Sequence, residues 1–271
     1  MPEGDSIFRL AAKLAPVLDG REVLAFSARK FTNDTARSLV GRHIESVAAK
    51  GKNLLVRFDD RRVLHVHLRM EGRVFVERPR SAFWAPRDPH FEPDLRIVVP
   101  GASVVGHRLP VVRLLSREDR APDLSQLGPD LVREGWDEDE AIRRLRTLEG
   151  TREIADALLV QRVAAGIGNV YKSEVLFLEG IHPRVSLAML PDDTLRALLR
   201  RASTLLRRNL GDGPRTTRPT LGGARLWVYG RGGKPCLRCQ TPIVRFMVTR
   251  STYFCPRCQP ERERIAERAS L

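Results

Sequence analysis

The four cysteines of the chain are the feature that most constrains its fold. They form two Cys-x2-Cys pairs, Cys236 with Cys239 and Cys255 with Cys258, separated by 15 residues. Pairs at this separation place four thiolates around one tetrahedral ion, and four soft sulfur ligands favour a structural zinc. The alternative is two disulfides, which a reducing compartment disfavours. We expect a β-hairpin between the pairs, which the zinc positions without taking part in chemistry.

The charge of the chain predicts a polyanionic partner. It has 47 lysine and arginine residues against 33 aspartate and glutamate, a formal net charge of +14, and most of the cations are arginine. Arginine suits bidentate phosphate contacts. The alternatives are a generic basic protein and one that binds an anionic membrane. No apolar stretch approaches the roughly 18 residues of a membrane helix, and no signal-peptide pattern opens the chain. We therefore expect a soluble, cytoplasmic, monomeric protein.

Residue spacing divides the first half of the chain into a helix and a β-rich region. Residues 6–18 place apolar side chains at helical spacing. From about residue 21 to 115 short strand-like runs alternate with turn residues, as in an antiparallel sandwich or barrel. The predicted strands are 23–26, 53–58, 63–68, 73–77, 95–99 and 111–115. The segment 78–94, rich in proline, arginine and aromatics, is predicted to be a surface loop.

The second half is predicted to be helical up to the cysteines. Asp137 and Glu140 resemble a capping box, and 154–163, 170–178 and 192–206 also have helical spacing. We predict an α+β multidomain fold in which an N-terminal antiparallel β-sandwich with an N-terminal helix precedes a helical bundle and a zinc-binding β-hairpin. The predicted parts are a domain over 1–120, a linker over 121–132, a helical domain over 133–225, a zinc finger over 226–260 and a tail over 261–271.

The start of the chain carries a candidate nucleophile. If Met1 is removed, the free secondary amine of Pro2 stands beside the carboxylate of Glu3. An amine can attack an electrophilic carbon and form an imine, a role that lysine usually serves. An α-amino group, with a typical pKa of about 7.7–8.0, is less protonated at neutral pH than lysine at about 10.4. The alternative is an ordinary second residue followed by an acid at a helix start.

Three further positions are candidates for binding phosphate. Asn169 follows the turn Gly166–Gly168 at a predicted helix start, where free backbone N–H groups attract phosphate. Lys52 opens a predicted strand and can project into a cleft, and Arg250 lies between the cysteine pairs. Each has a plain structural alternative: a helix cap for Asn169, a strand-end charge for Lys52 and a solvated face for Arg250.

One predicted strand carries His65 and His67 on the same face and ends near Met70. No carboxylate or third histidine stands at metal-ligand spacing, so we interpret the two histidines as packed or surface residues. Met70 would ordinarily belong to the core. In a protein that opens DNA, an exposed methionine at this position could act as a wedge.

Four motifs in this order resemble the formamidopyrimidine-DNA glycosylase and endonuclease VIII family of DNA repair enzymes. They are Pro2-Glu3-Gly4, Gly51-Lys52, Gly166-Ile167-Gly168-Asn169 and Val228-Tyr229-Gly230-Arg231. The resemblance covers nearly the whole chain, and its opening is closer to endonuclease VIII. It implies a catalytic N-terminal domain, a helix-two-turn-helix domain, one structural Zn2+, and DNA glycosylase and AP-lyase activity on damaged DNA held between the domains.

The resemblance also implies roles for individual residues. Pro2 would attack C1′ of the damaged nucleotide, Glu3 would act as general acid and base, and Lys52 would bind a phosphate and help to position the sugar. The implied DNA-binding residues are Met70, Asn169, Lys172 and Arg250. Because the target base must leave the stack, the strand has to be held from several sides, which suits this distribution.

The chain departs from the family pattern at three places. Ser6 stands where a glutamate is frequent. The segment 106–110 lacks the phenylalanine of the formamidopyrimidine-DNA glycosylases' Arg-Phe pair, leaving Arg108 and Leu109 as substitutes. The stretch 216–229 is short for a lesion-capping loop of the oxidised-guanine enzymes, which favours oxidised pyrimidines as substrates. The alternatives are an 8-oxoguanine or formamidopyrimidine-type purine glycosylase, a non-catalytic damaged-DNA-binding paralogue, and a zinc-ribbon nucleic-acid adaptor.

Overall fold

The computed structural model describes residues 2–78, 92–118, 121–219, 222–247 and 250–261. Most of the predicted surface loop 78–94, and all but the first residue of the predicted tail 261–271, lie outside these residues. The chain divides into two compact units, Met1–Gln126 and Leu127–Leu271. The boundary between the units falls inside the predicted linker 121–132.

The described part of the N-terminal unit combines three helices with two antiparallel sheets. The helices are α1 (Gly4–Leu18), α2 (Asn33–Arg37) and α3 (Pro122–Ser125). The strands are β1 (Ala25–Ala28), β2 (Ile44–Lys50), β3 (Asn53–Phe58), β4 (Val63–His67), β5 (Arg73–Glu77), β6 (Leu95–Val99), β7 (Ala102–His107) and β8 (Val111–Leu115). Among the described residues they form two four-stranded sheets with the orders β1-β6-β7-β5 and β2-β3-β4-β8. The predicted sandwich-like, antiparallel architecture is confirmed.

The core of this unit fixes the start of the chain. Helix α1 packs against β2 and β3. Its apolar stripe, including Ile7, Leu14 and Leu18, is almost completely buried. Burying each such side chain contributes about 1.5–3 kcal/mol, so the residues that precede α1 are attached to a well-anchored helix.

In the described part of the C-terminal unit, helices precede a β-hairpin. Its helices are α4 (Glu138–Arg146), α5 (Ile154–Ala157), α6 (Asn169–Leu178) and α7 (Asp192–Arg208), with a 3-10 turn at Leu187–Met189. Its strands are β9 (Val244–Met247) and β10 (Ser251–Phe254), which pair in antiparallel fashion. The predicted cap is present, since Oδ1 of Asp137 accepts from the backbone N of Glu140 at 2.9 Å. No helix in the described ranges is long and apolar enough to span a membrane.

The bounds of one predicted helix need correction. The helix predicted over 154–163 ends at Ala157, because the chain folds back and the Gln161 side chain bonds to the backbone of Leu159, Gly166 and Ile167. The predicted linker 121–132 contains regular structure and buried residues. Its first part forms α3, and Leu124, Leu131 and Val132 are buried.

Candidate active-site residues and zinc module

The first residues of the chain place a buried carboxylate beside a partly exposed proline. Pro2 is partly exposed, whereas the side chain of Glu3 is fully buried. Glu3 is the N-cap residue of α1, and its carbonyl accepts from the backbone N of Ser6 at 3.0 Å and of Ile7 at 3.2 Å. Its carboxylate makes no capping bond. The backbone of Glu3 is therefore fixed, and its buried carboxylate is carried next to Pro2.

A second carboxylate lies in the first turn of α1. Asp5 is fully buried; the Ser6 hydroxyl donates to its Oδ1 at 3.2 Å, and Nη2 of Arg9 lies 3.7 Å from its Oδ2. Sequence reasoning did not single out Asp5. One sequence signal could have identified it. Asp5 is an acidic residue directly before Ser6, the position at which the family frequently has a glutamate.

Lys52 lies at the tip of a tight hairpin. Lys50 pairs with Asn53 at the ends of β2 and β3, so Gly51 and Lys52 alone make the turn. Gly51 has φ 56, a left-handed conformation that favours glycine in two-residue hairpin turns. Nδ2 of Asn53 donates to the carbonyl of Lys50 at 3.0 Å and closes the turn from one side. Lys52 is thus carried by a short, braced turn.

His65 and His67 are packed histidines, in agreement with the sequence interpretation. His65 is buried and His67 is partly buried. Burial, followed by the Arg113 guanidinium, lowers the pKa of His65 to about 4. Burial, followed by Arg69 and then Lys52, lowers the pKa of His67 to about 4. Sequence reasoning missed that His67 lies in the field of Lys52, although strand pairing brings both to one end of the β3–β4 ladder.

The turn after β4 exposes Met70. Its side chain is 65% exposed, which suits a residue that inserts into DNA. Arg108 is also exposed and pairs with Glu71 at 3.6 Å. Leu109 is different, because it is buried against Gly106, where an added Cβ would lie 2.4 Å from its Cδ1. The suggestion that Leu109 substitutes for a void-filling side chain is therefore wrong, since it belongs to the core.

Asn169 is the first residue of α6 and contacts the hairpin. The N-cap is Gly168, so Asn169 does not cap the helix. Its side chain is 4% exposed, and Nδ2 donates to the carbonyl of Ser251 at 2.7 Å. Its Oδ1 is buried and has no hydrogen-bond partner among the residues that the structure describes. Asn169 therefore ties the start of α6 to the strand that follows Arg250.

Lys172 does not lie on a DNA-facing surface. Its side chain is 1% exposed, and Nζ donates to Oγ1 of Thr252 at 2.8 Å, with the carbonyl of Ser251 at 3.5 Å. The predicted direct contact of Lys172 with DNA is accordingly corrected. The buried ammonium holds β10 against α6 because those oxygens replace the water that it loses.

Arg250 is exposed immediately before this anchored strand. Its carbonyl accepts from the hydroxyl of Thr252 at 3.3 Å. The next two residues, Ser251 and Thr252, are held by Asn169 and Lys172. A guanidinium on a fixed backbone loses little conformational entropy on binding a phosphate. The surroundings of Arg250 thus suit the predicted phosphate contact.

The four cysteines converge as predicted. All four sulfurs lie within 4.8 Å of one another, with Cys236–Cys258 at 3.9 Å, Cys239–Cys255 at 3.4 Å and Cys239–Cys258 at 3.5 Å. Sulfurs at the corners of a tetrahedron around zinc, with Zn–S bonds of about 2.3 Å, are about 3.8 Å apart. Disulfide sulfurs would be about 2.05 Å apart. The site fits one zinc ion, and the disulfide alternative is excluded.

The thiols of this cluster need a cation to ionise together. The Thr241 hydroxyl lowers the pKa of Cys239 to about 6. Burial raises the pKa of Cys255, and burial together with the neighbouring thiols raises that of Cys258. Four thiolates at this spacing repel one another, and a divalent cation among them removes that penalty.

A buried carboxylate on α6 anchors the chain that leads into the zinc module. The backbone N atoms of Trp227, Val228 and Tyr229 each donate to Glu174 at 2.8 Å, and the Thr217 hydroxyl donates to the same group. Burial raises the pKa of Glu174, and the four donors oppose that shift. The sequence motif at Val228 marked this segment, but no local signal identified Glu174 as its partner.

Gln259 attaches the second cysteine knuckle to the end of α6. The backbone N of Cys255 donates to its Oε1 at 3.0 Å, and its Nε2 donates to the carbonyl of Ile181 at 2.8 Å. Gln259 is fully buried. The zinc module is consequently joined to α6 at three places: at Asn169, at Glu174, and at Ile181 just after the end of the helix.

Comparison with known proteins assigns each part of the chain to a family domain. Residues 1–104 match the formamidopyrimidine-DNA glycosylase N-terminal domain, and residues 127–219 match its H2TH domain. Residues 233–260 match the zinc finger found in FPG and IleRS. The three matches follow the order of the predicted catalytic, helix-two-turn-helix and zinc modules.

Full-length relatives give the same result. The chain is 39% identical to the "Probable endonuclease 8 2" of Streptomyces coelicolor, covering 96% of this chain and 94% of the relative. It is 36% identical to the "DNA-(apurinic or apyrimidinic site) lyase Nei2" of Mycolicibacterium smegmatis, with 96% and 99% covered. The Lactococcus lactis formamidopyrimidine-DNA glycosylase in a complex with N7-benzyl-Fapy-dG DNA superposes with a TM-score of 0.79 at 27% identity, covering 96% and 100%. The chain therefore belongs to the formamidopyrimidine-DNA glycosylase and endonuclease VIII family of zinc-finger DNA glycosylases and AP lyases.

Proposed function

We propose that the protein removes oxidised bases from DNA and then cuts the strand, with Pro2 as the nucleophile once Met1 has been removed. The observation that carries this proposal is the pairing of a partly exposed Pro2 with a fully buried Glu3 carboxylate at the start of an anchored helix. A structural or purely DNA-binding protein has no need for that pair.

The proposed reaction proceeds through an iminium ion. The Pro2 nitrogen attacks C1′, the bond from C1′ to the base breaks, and the base leaves with a proton. Glu3 supplies and removes protons as the sugar ring opens. The iminium then withdraws electrons, so loss of the C2′ proton expels the 3′ phosphate, and a second elimination expels the 5′ phosphate. Hydrolysis finally releases the amine, and the sequence of steps is β,δ-elimination.

The remaining site residues divide into DNA-contacting and positioning groups. Lys52 on its braced turn and Arg250 on the anchored hairpin supply cations for phosphates on the lesion strand. Met70 is exposed and fills the space that the extruded base leaves. Asn169 and Lys172 act on the hairpin, and they fix Arg250 without needing a phosphate of their own.

Oxidised pyrimidines are the favoured substrates in this proposal. Relatives over the whole chain carry the name endonuclease 8. Within the stretch 216–229, the Thr217 N donates to the Arg225 carbonyl at 3.0 Å, which brings these two residues together. A loop closed in this way leaves little chain to cover a larger purine. We further propose a monomer that acts on the chromosome in the cytoplasm.

Borohydride trapping tests the nucleophile. The chain is produced behind a cleavable N-terminal extension, and the uncleaved and cleaved forms are incubated with duplexes containing an abasic site. Reduction of the iminium would leave a stable amine bond, so we expect a covalent complex only after cleavage exposes Pro2. Equal trapping with the amine blocked would exclude Pro2.

A panel of duplexes with thymine glycol, dihydrouracil, 8-oxoguanine or formamidopyrimidine separates the substrate classes. We expect faster excision of the pyrimidines. Preference for the purine lesions would favour the purine-type alternative. Tight binding without excision or trapping would identify a non-catalytic paralogue.

A further inference from the structure

Two buried side chains, Asn53 and His65, and the exposed Arg113 form a chain of hydrogen bonds next to the Lys52 turn. Nε2 of His65 lies 2.8 Å from Oδ1 of Asn53, and Nη2 of Arg113 lies 2.9 Å from Nδ1 of His65. The Nδ2 of Asn53 donates to the carbonyl of Lys50 at 3.0 Å. His65 is 1% exposed and Asn53 is 7% exposed. The chain therefore runs from β8 through β4 and β3 to the last residue of β2.

The partners of His65 determine its protonation state. Asn53 donates through Nδ2, so its Oδ1 is left as an acceptor for Nε2–H of His65. The Arg113 guanidinium can only donate, so Nδ1 of His65 must carry a lone pair. The neutral imidazole with hydrogen on Nε2 is the form that satisfies both contacts. A doubly protonated ring would set one N–H against another at Arg113.

We propose that His65 is a positioning residue for Lys52, because it orients Asn53 and thereby holds the two-residue turn on which Lys52 is carried. This inference deepens the proposed function and rests on Lys52 binding the lesion strand. Lys50 and Asn53 are the pair that closes the turn, so rotation of the Asn53 amide would release the Lys50 carbonyl. A displacement of Lys52 by about 1 Å can lower the rate by about 100-fold.

The charges around His65 keep it neutral. Arg113 on β8 faces its Nδ1, and His67 on the same strand adds further repulsion on protonation. Asp123 on α3 attracts a proton, but its carboxylate is paired with Arg113. Burial and Arg113 together lower the pKa of His65 to about 4. The turn is consequently braced throughout the neutral pH range.

Nitrogen NMR of the histidine rings in the intact protein tests the assigned state without any mutation. We expect one ring with hydrogen fixed on Nε2 and a bare Nδ1 from pH 8 to about pH 5, assigned to His65 by its loss in His65→Gln. A His65 ring that titrates near pH 6.5, or that carries hydrogen on Nδ1, would overturn the inference.

A double-mutant cycle tests the link to Lys52. His65→Leu keeps an apolar volume and removes both hydrogen bonds, and we expect about a tenfold slower single-turnover cleavage of abasic-site DNA. In a Lys52→Met background the same change should have little further effect, because the residue that His65 positions is gone. His43→Leu is the matched control: His43 is exposed and lies outside this network, so cleavage should be unchanged.

The outcomes separate this inference from the proposed function. Failure of the unmodified protein to cleave or to be trapped would refute the proposed function itself. An active protein in which His65→Leu slows cleavage equally with and without Lys52 would refute the positioning role. If His65→Leu does not fold, Asn53→Ser takes its place in the double-mutant cycle. This change keeps a polar side chain but makes it too short to bond to both His65 and the Lys50 carbonyl. We expect its effect on cleavage to depend on Lys52 in the same way.

Discussion

The Nζ of Lys172 donates to Oγ1 of Thr252 across 2.8 Å, and both side chains are 1% exposed. A buried ammonium thus joins the middle of α6 to the strand after Arg250. Hydroxyl and carbonyl oxygens of β10 help to compensate its lost hydration, so the contact depends on geometry. Any change that moves the hairpin leaves a charge in the interior, which is costly. The backbone next to Arg250, the proposed phosphate contact, is therefore held in place by a buried lysine.

The first prediction concerns this lysine. Lys172→Met keeps the length of the side chain but removes the hydrogen bond that Oγ1 of Thr252 accepts, at a cost of about 1–3 kcal/mol. We expect the affinity for abasic-site duplex to fall about tenfold, while the slope of log affinity against log salt stays the same, because no phosphate contact is lost. Lys13→Met, on the exposed face of α1, is the control. A slope reduced by about one unit would show that Lys172 binds phosphate directly.

The second prediction concerns Arg250. Arg250→Ala removes one cation from the hairpin surface, so both affinity and salt slope should fall, the slope by about one unit. Fluorescence anisotropy with a fixed duplex at several salt concentrations measures both quantities. Arg207→Ala is the matched control, since Arg207 is a partly exposed residue of α7 paired with Glu134. An unchanged slope in Arg250→Ala would exclude the phosphate contact.

The third prediction concerns Glu3. Glu3→Gln keeps the size of a buried side chain but cannot exchange protons, so base excision should slow by about 100-fold or more. The affinity for damaged duplex should stay within about twofold, because a buried carboxylate does not bind phosphate. Single-turnover excision and equilibrium binding on one preparation give both values, with Glu22→Gln as an exposed control. A large loss of affinity with normal excision would contradict the acid–base role.

Local sequence signals identified the features whose partners lie nearby in the chain. The Asp137 cap and the two cysteine pairs depend on spacings of a few residues, and both were predicted. Strand β2 (Ile44–Lys50) was missed because Glu45 and Ser46 interrupt its apolar alternation, and a register shift between Ile44 and Ser46 confirms that irregularity. The position of β2 in the sheet depends on its pairing with β3, and the sequence of β2 alone does not indicate that pairing.

The roles of polar residues on α6 could not be predicted from local spacing. Lys172, Ser173 and Glu174 look like a solvated stretch of helix, yet all three are buried. The hairpin and the segment around Val228, both more than 50 residues further along the chain, pack over them. Whether a lysine faces DNA or the interior is decided by these distant contacts, which is why the direct DNA role of Lys172 was a wrong prediction.

The fourth prediction concerns pH. The folded pKa of His67, about 4, lies below the ordinary value of 6.5, so the fold favours the neutral ring. The contribution of His67 to stability is therefore fully present above pH 6.5 and is lost as the pH falls from 6.5 through about 4. Its size should not exceed about 2 kcal/mol because the ring is partly screened by solvent. Urea unfolding at pH 5 and pH 7 should show a smaller difference for His67→Gln than for the unmodified protein.

The pKa of His67 also tests whether the Lys52 ammonium lies near that ring. Removing a nearby cation relieves the repulsion that disfavours protonated His67, so its pKa should rise in Arg69→Met and, by a smaller amount, in Lys52→Met. Histidine NMR titration measures both shifts. Lys30→Met, which removes another lysine of the same unit, is the control. No shift in Lys52→Met would mean that the Lys52 ammonium points away from His67.

The last prediction concerns zinc. Four sulfurs complete the coordination sphere, so a bound ion has no open position for water or substrate and is structural. Removing it by chelation should unfold the hairpin locally, because the apolar cluster of this module is small and is shared with α6: Phe177, Val228, Cys236, Ile243 and Cys255. Arg250 would then lose its anchored backbone, and DNA binding and strand cutting should fall together. The N-terminal unit, with a separate core, should stay folded.

Cys255→Ser is the genetic equivalent of chelation and should give the same loss. Metal content, circular dichroism and duplex affinity are measured on one preparation, and restoring zinc should rescue the chelated protein but not the variant. Ser6→Ala, remote from the cluster in sequence and placed in the other unit, is a control that should keep its metal. Retention of normal binding and cutting by zinc-free protein would show that the hairpin holds its shape without the ion, and the role of zinc in positioning Arg250 would be refuted.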